Sequence, residues 1–462
     1  MELFAHLASE QNVEADAAHA LLIECLRAEI AFLSARHRQI TMLFYYENKT
    51  SAEIAVQLGI PHATVRWHLT EIKKKLKVGM EMENKLSYMP KRLNAGHDGW
   101  TNDSHMHGIG ENPLVDSICV ACYGNELTIE ALSRALQVAA AYIEPLVDDL
   151  VDMDYLRVVG KNKFTTNFFI QDARFGAAVT SFKCRNIGPY AEKLGAAFRK
   201  RLDAIKAIGF VGSDLDDDFL VWAIMPLVLE AVYWKSSEVT RRKNNAMIET
   251  PLRKDGTRHW VCAWLADEAV PTTGVTPEEL AFAKMTLGNG VKLRGAETGE
   301  HSLQYDSYAT IQQGIHWREF GTDSDLRGIR RVAELVRSGE APNEYDRMMI
   351  AAFAAQGYAA VENGKPKLLV PFFDVAEFAK LDEIIDEIKR EVGEDLFVPY
   401  IEAFGAAVEK QIPVFITAEE RAYIKYKDFS QYAVMYWLSD NGLLRYPTDD
   451  EAKRLCTVVW QA

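Results

Sequence analysis

The stretch from Arg38 to Lys77, RQITMLFYYENKTSAEIAVQLGIPHATVRWHLTEIKKKLK, constrains this chain more than any other. It reads as a helix, a short helix, a tight turn and a third helix that ends in lysines. Thr50 and Glu53 stand three apart, the spacing at which a threonine caps a helix N-terminus and a glutamate reaches back to complete the box. The short helix runs to about Leu58, and Gly59 supplies the backbone freedom for the turn. Ala55, Gly59 and Val65 have the small, turn and apolar spacing that lets two helices cross closely, as in a helix-turn-helix.

The third helix separates its faces. Val65, Leu69, Ile72 and Leu76 follow i, i+4, i+7, i+11 and make one apolar stripe. Arg66, Thr70, Lys73 and Lys77 make the adjacent stripe, with Lys74 and Trp67 further round and Ala63 near the same side. From Arg36 to Lys77 there are eight Lys and Arg against three Glu, a local charge of +5 in a chain of −14, which leaves −19 elsewhere. A basic island in an acidic chain is the electrostatic footprint of a nucleic-acid-binding element. In such a helix the first turns meet base edges and the later cations meet phosphates.

These residues carry a family resemblance. LFYYENKTSAEIAVQLGIP, then TVRWHL, then the closing KKKLK, resemble region 4 of sigma-70-type RNA polymerase sigma factors, the part that reads the promoter −35 element. The resemblance implies that His62, Thr64, Arg66, Trp67 and Lys73 fall where such proteins meet DNA. Arg66, Lys73, Lys74 and Lys77 would supply the electrostatic grip, with Thr70 on the same stripe, while His62, Thr64 and Trp67 would carry selectivity. A complete sigma factor also has a region 2 that melts DNA and grips polymerase. Only some 35 residues precede the motif, so promoter melting by this chain alone is not expected.

At 462 residues the chain has room for about three domains. With 48% hydrophobic and 26% charged residues it is ordinary globular material. Six cysteines are too few for a disulfide framework. The first residues, MELFAHLASEQ, lack the basic and apolar regions of a signal peptide. The most apolar run, Phe219 to Trp234, holds Glu230 and Pro226 and suits a buried core helix better than a membrane span. A cytoplasmic, bacterial protein without membrane association is expected.

The expected fold class is mainly α with small β-hairpins and sheets, an α+β chain. Residues 1–88 form the helix-turn-helix domain, with Leu21, Leu22, Cys25 and Leu26 at helical spacing ahead of it. Residues 89–113, rich in Gly, Asn, Asp and His, read as a linker that would tolerate a break. Residues 114–175 read as three helices and a hairpin turning at Gly160-Lys161-Asn162, similar to winged-helix transcription regulators. The would-be reading helix, AAAYIEPLVDDLVDMDYL, carries five carboxylates and no cation, so a phosphate backbone would repel it. This unit therefore has either a packing or partner role, or meets DNA only through Arg157, Lys161 and Lys163 on its wing.

Residues 176–323 read as a helical plus β-hairpin regulatory region. Lys193, Arg199, Lys200, Arg201 and Lys206 suggest a solvated helix face, and Asp214, Asp216, Asp217 and Asp218 suit the N-terminus of the apolar helix. Asp255-Gly256 signals a hairpin, Thr276-Pro277-Glu278-Glu279 a helix start, and His301–Tyr308 and Gly314–Phe320 further strands. Trp260, Trp264, Tyr305, Tyr308 and Trp317 are expected in the core, with a small-molecule pocket as the alternative. Residues 324–462 begin with a repeat: Tyr142-x12-Tyr155 parallels Tyr345-x12-Tyr358, with one extra residue expected in the second hairpin. The helix MMIAAFAAQGY, apolar nearly all round, is expected to be buried.

Cys119 and Cys122, with His105 and His107 upstream, invite a zinc reading, but the cysteines lie in an apolar helical run and are expected as core. No Walker-type loop, dinucleotide fingerprint or nucleophile elbow is present, and Leu287-Gly-Asn-Gly290 is too short for a phosphate cradle. Neither an enzyme nor a bound cofactor or metal is expected. The sequence leads to a transcription regulator that binds double-stranded promoter DNA. RNA polymerase core, a small-molecule effector or a second copy in a homodimer would engage the body. The alternative is a ligand-sensing or interaction scaffold that docks on RNA polymerase without binding DNA.

Overall fold

The computed structural model describes residues 26–81, 90–100, 108–244, 250–266, 273–286, 289–294, 299–306, 322–426 and 431–461. The expected strand Gly314–Phe320, Tyr308, Trp317, His105, His107 and Leu21–Cys25 lie outside the described residues. The chain divides into two compact units, one of residues 1–171 with 249–267 and one of 172–248 with 268–462. The fold is mainly helical α+β, with sheets of two to four strands.

The first unit opens with α1 (Ala35–Thr41), continued by a π turn over Met42–Tyr46, then α2 (Ser51–Leu58) and α3 (His62–Glu81). The expected capping box is present: the Thr50 side chain accepts from Glu53 N–H, and the Glu53 carboxylate accepts from Thr50 N–H at 2.8 Å. Gly59 ends α2 at φ 63°, a left-handed conformation that costs a glycine nothing. Val65, Leu69, Ile72 and Leu76 bury their stripe against Leu33, Ile40, Leu43, Ile54 and Ala55, one self-contained core.

A module of three helices and a hairpin follows as α4 (Pro113–Cys122), α5 (Ile129–Leu136), α6 (Ala140–Asp152) and the hairpin β2 (Leu156–Val159) with β3 (Lys163–Thr166). Thr128 caps α5 by accepting from Ala131 N–H. The core expected here forms around Ile118, Cys119, Cys122, Ile143, Val147, Tyr155 and Phe168. Burial pushes the Cys122 thiol up to about 12 and the Cys119 thiol well above its usual value, so both pack as apolar groups.

The stretch 89–113 does not behave as the expected linker. It contains β1 (Leu93–Trp100), which pairs antiparallel with β5 (Arg258–Leu265) from Leu93–Leu265 to Trp100–Arg258. β4 (Phe169–Gln171) adds parallel on the other edge of β5. The buried Asp116 carboxylate holds this segment down, accepting from Leu93 N–H at 3.0 Å and Gly110 N–H at 2.8 Å. Residues 249–267, expected within the regulatory region, thus complete the sheet of the first unit. The hairpin signalled by Asp255-Gly256 is reduced to one bridge, Leu252 to Arg258.

The second unit is built on α7 (Ala173–Arg199), α8 (Leu202–Ala207) and α9 (Asp217–Lys243). α9 is the one described helix long and apolar enough to cross a membrane, and 76% of its apolar window is buried inside the protein. Asp216 caps it by accepting from Asp218 and Phe219 N–H, as the acidic group leads one to expect. The cations of α7 and α8 are not a merely solvated face. Arg201 pairs with Glu387 and Glu391, Arg199 with Asp218, and Lys206 with Asp217.

α10 (Pro277–Met285), with its Thr276–Glu279 capping box, precedes β6 (Asn289–Arg294) and β7 (Glu300–Asp306). The repeat then appears as α11 (Asp323–Ser338), α12 (Glu344–Ala355), the hairpin β8 (Ala359–Glu362) with β9 (Lys365–Leu368), and β10 (Phe372–Phe373). Tyr358 O accepts from Leu369 N–H at 2.9 Å, as Tyr155 O accepts from Asn167 N–H at 2.9 Å. The extra spacing falls after the hairpin and not in it: the second turn is only Asn363-Gly364, both left-handed. α12 is not buried all round either. Ile350 and Phe353 face the core, whereas Tyr345 and Met348 are 73% and 69% exposed. The alanines between them hide too little apolar surface to draw the whole helix inside.

α13 (Val375–Val392), α14 (Val398–Val408), α15 (Ala418–Lys425), α16 (Gln431–Asp440) and α17 (Asp449–Ala452) close the chain with β11 (Thr457–Gln461). β11 inserts between β10 and β7, giving the order β10-β11-β7-β6.

Candidate nucleic-acid interface

α3 is fixed on one side by the apolar core and on a second by the helix-hairpin module. At about 100° per residue, Val65, Leu69, Ile72 and Leu76 point to the core, and His68 and Lys75 lie on one flank of that stripe. Lys75 Nζ donates to Glu130 Oε1 of α5 at 3.1 Å. The same carboxylate accepts from Ser34 N–H and lies 3.3 Å from His37 Nδ1. Burial works to raise the Glu130 pKa, but the hydrogen bonds from His37, Ser34 and Lys75 outweigh it and hold the group far below the usual carboxylate range.

α6 makes a second clamp. Glu144 accepts from Arg38 and, at 2.7 Å, from Ala35 N–H at the α1 N-terminus, where the helix dipole favours an anion. Arg134 of α5 pairs with Glu29. The acidic helix that would be repelled by DNA thus faces the helix-turn-helix through Glu144. Sequence patterning identified the acid content of α6, but not Glu130, whose partners lie far away along the chain.

The side of α3 left open holds most of the expected residues. Arg66, Trp67, Thr70, Lys73, Lys74 and Lys77 are all exposed, Trp67 by 55%. Arg66, Lys73 and Lys74 have no ion-pair partner among the described residues. By contrast Arg38, Lys49 and Lys75 of the same basic island are paired with Glu144, Glu47 and Glu130. The structure therefore sorts the island into cations that hold the head together and cations that face outward. Two expected residues depart from this group. Thr64 is half-buried about 160° round from Arg66. His62 is exposed at the first residue of α3, but its Nε2 lies 2.7 Å from Ser51 Oγ and joins the starts of α2 and α3.

His37 Nε2 lies 3.1 Å from His68 Nδ1 behind this surface. Burial lowers the His68 pKa, and the nearby charges of His37, Arg36, Lys161 and Lys75 lower it further. Both effects favour the neutral imidazole, which sits within reach of the field of the hairpin residue Lys161.

Other expected sites are placed as follows. Trp260 is buried on β5 of the first unit with Trp264 half-buried beside it, and Tyr305 lies on β7 of the second unit, packed edge-on to Tyr432. Among the described residues, a cavity of about 250 Å³ in the second unit is lined by Glu192, Arg199, Val221, Leu438 and Leu444 among others. That is below the range of ordinary ligand sites.

A capped, glycine-turned helix pair that presents an open cationic stripe defines a helix-turn-helix DNA-binding head. Residues 23–76 match the family model described as Sigma-70, region 4. The match covers the head and supports a DNA-binding, transcription-related function for it. No curated protein and no solved structure matches the chain.

Proposed function

We propose that this chain is a bacterial, cytoplasmic transcription regulator that recognises promoter DNA through α3. The observation that carries this reading is the outward stripe of Arg66, Lys73 and Lys74, exposed and without ion-pair partners among the described residues while their neighbours are paired. A protein that used these lysines only for solubility would have no need to clamp the opposite flank of the same helix. In this reading Arg66 and Trp67, nearest the start of α3, reach base edges, and Lys73, Lys74 and Lys77 meet phosphates.

The family match also supports RNA polymerase core as a partner. The head keeps apolar groups exposed away from the α3 stripe, with Val56 of α2 at 84% exposure and Met42 and Tyr46 one helical turn apart. These would serve such a protein contact. The remaining body is read as a sensing or interaction region for an effector or a second copy.

The test is a gel-shift titration of the full chain with promoter duplexes at moderate salt. Arg66→Glu/Lys73→Glu/Lys74→Glu is expected to abolish binding while the circular dichroism and the melting temperature stay unchanged. Unchanged binding by this folded variant would overturn the reading.

A further inference from the structure

The wing of the first module has an unusual charge. From Tyr155 to Gln171 the chain holds Arg157, Lys161 and Lys163 and no carboxylate. The three-residue loop puts Gly160 at φ 62° and Asn162 at φ 54°, and Lys161 between them is exposed. Lys161 has no ion-pair or hydrogen-bond partner among the described residues. Lys163 is 3.4 Å from Glu126, an exposed pair of the kind that contributes little and that a phosphate can displace.

The second copy of the hairpin provides a control within the same molecule. There Glu362 flanks the turn, and Lys367 lies 3.4 Å from Glu362 and 3.5 Å from Asp214. Lys367 is thus neutralised in place, while Lys365, the exposed residue after the turn, stands directly across the hairpin from Glu362. The second turn, Asn363-Gly364, closes without a cation in it and with a carboxylate beside it, so a lysine inside the first turn is not a demand of folding.

Position then matters. Phe164 of β3 exchanges both backbone hydrogen bonds with Leu127, at 2.8 and 3.0 Å. Three residues beyond Leu127, Glu130 grips Lys75 of α3. The hairpin is thus anchored beside the His68–Lys75 flank of α3. The influence of Lys161 on His68 agrees with that placement. His68 and Lys75 lie about 100° round α3 from Trp67 and Lys74, so the hairpin stands on the Trp67–Lys74 edge of the stripe, away from Arg66 and Lys73.

We propose that Lys161 and Lys163 at the wing tip form, together with α3, one composite surface for duplex DNA, the tip gripping the phosphate backbone beside the groove that α3 enters. This rests on the DNA-binding reading of α3 and assigns the winged module a direct share in it. The module does not read with its own acidic helix, whose Glu144 clamps the head while Asp148, Asp149 and Asp152 stay exposed. It orients the head through Glu130 and Glu144 and extends the head's footprint through its hairpin.

The experiment compares three forms of the full chain on a labelled random-sequence duplex pool: wild type, Lys161→Glu/Lys163→Glu and Arg66→Glu/Lys73→Glu/Lys74→Glu. Each phosphate that the protein no longer neutralises should reduce the slope of log affinity against log salt by about 1. The wing variant should therefore bind about tenfold more weakly, with a slope shallower by about 2. On a single bound sequence selected from the pool its hydroxyl-radical footprint should lose protection on one flank only, and Lys161→Arg/Lys163→Arg should behave as wild type. If the wing variant matches wild type in affinity, slope and footprint while the α3 variant has lost binding, the wing proposal is overturned and the α3 reading stands. If neither variant changes binding, both are overturned.

Discussion

Lys75 Nζ and Glu130 Oε1 are 3.1 Å apart, and this contact holds one flank of α3 against α5. Lys75 belongs to the KKKLK run, yet its charge is spent inside the protein. The carboxylate it meets also serves Ser34 and His37, so one side chain ties α1 and α3 to α5. Removing it leaves a half-buried ammonium and a backbone N–H without their acceptor.

Glu130→Ala is accordingly expected to destabilise the head by about 1–3 kcal/mol. Hydrogen exchange of α1 and α3 amides should speed up, while α9 in the other unit keeps its protection. The folded pKa of Glu130 is depressed, so its contribution is present above the unfolded value near 4.3 and is lost as pH falls below it. Equal protection in wild type and variant would show that the clamp carries no stability.

A second acid-sensitive group sits on β5. His259 is buried, with Nε2 3.1 Å from the Tyr155 hydroxyl and Nδ1 2.9 Å from the Thr257 hydroxyl. Burial, and next the charge of Arg253, push its pKa down to about 4. The unfolded chain takes up this proton near pH 6.5 and the folded one does not, so stability falls as pH drops from about 6.5 to 4. The shift corresponds to about 3 kcal/mol. His259→Gln retains polar partners but cannot titrate, and its urea midpoint should change less over that window. An identical acid loss in both proteins would refute the assignment.

Gly328 reports on the second helix-hairpin copy. A Cβ at this α11 position would lie 2.7 Å from Phe353 Cε2 and 2.9 Å from Cζ, on a ring that is itself buried. Gly→Ala inside a helix ordinarily stabilises by up to about 1 kcal/mol. Here overpacking should reverse the sign, with a loss of about 1–3 kcal/mol read from the melting temperature. A rise would mean that α11 and α12 do not cross as closely as the structure has them.

The strand β1 gives a test of chain continuity. Inserting one residue after Ala95 would move every later side chain of the strand to the opposite face of the sheet. The first unit should lose cooperative unfolding and much of its exchange protection on β5. Full tolerance would instead fit a plain linker.

Local features of the fold were legible in the sequence because each of their signals closes within one turn of chain. Thr50 with Glu53, Gly59, Thr128 and the Gly160–Asn162 loop all form where their spacing places them. The apolar stripe of α3 and its cationic neighbour were equally readable, since one helix contains both. β1 was hidden because LNAGHDGW is poor in strand-forming residues and its partner β5 lies far along the chain. The clamp of Glu130 and Glu144 was hidden for a related reason: a carboxylate on a polar helix face looks the same whether it meets water or another helix. Small side chains misled in the opposite direction on α12, where Ala351 and Ala352 are apolar yet exposed.

The most direct test of the account is the salt dependence of duplex binding by the full chain, followed by fluorescence anisotropy from about 50 to 200 mM salt. Lys73, Lys74 and Lys77 should each neutralise a phosphate, so log affinity should fall linearly with log salt, with a slope of about −3 or steeper. Binding that does not change with salt, or no binding at the lowest salt by a folded chain, would contradict the assignment of α3 as a DNA-binding helix.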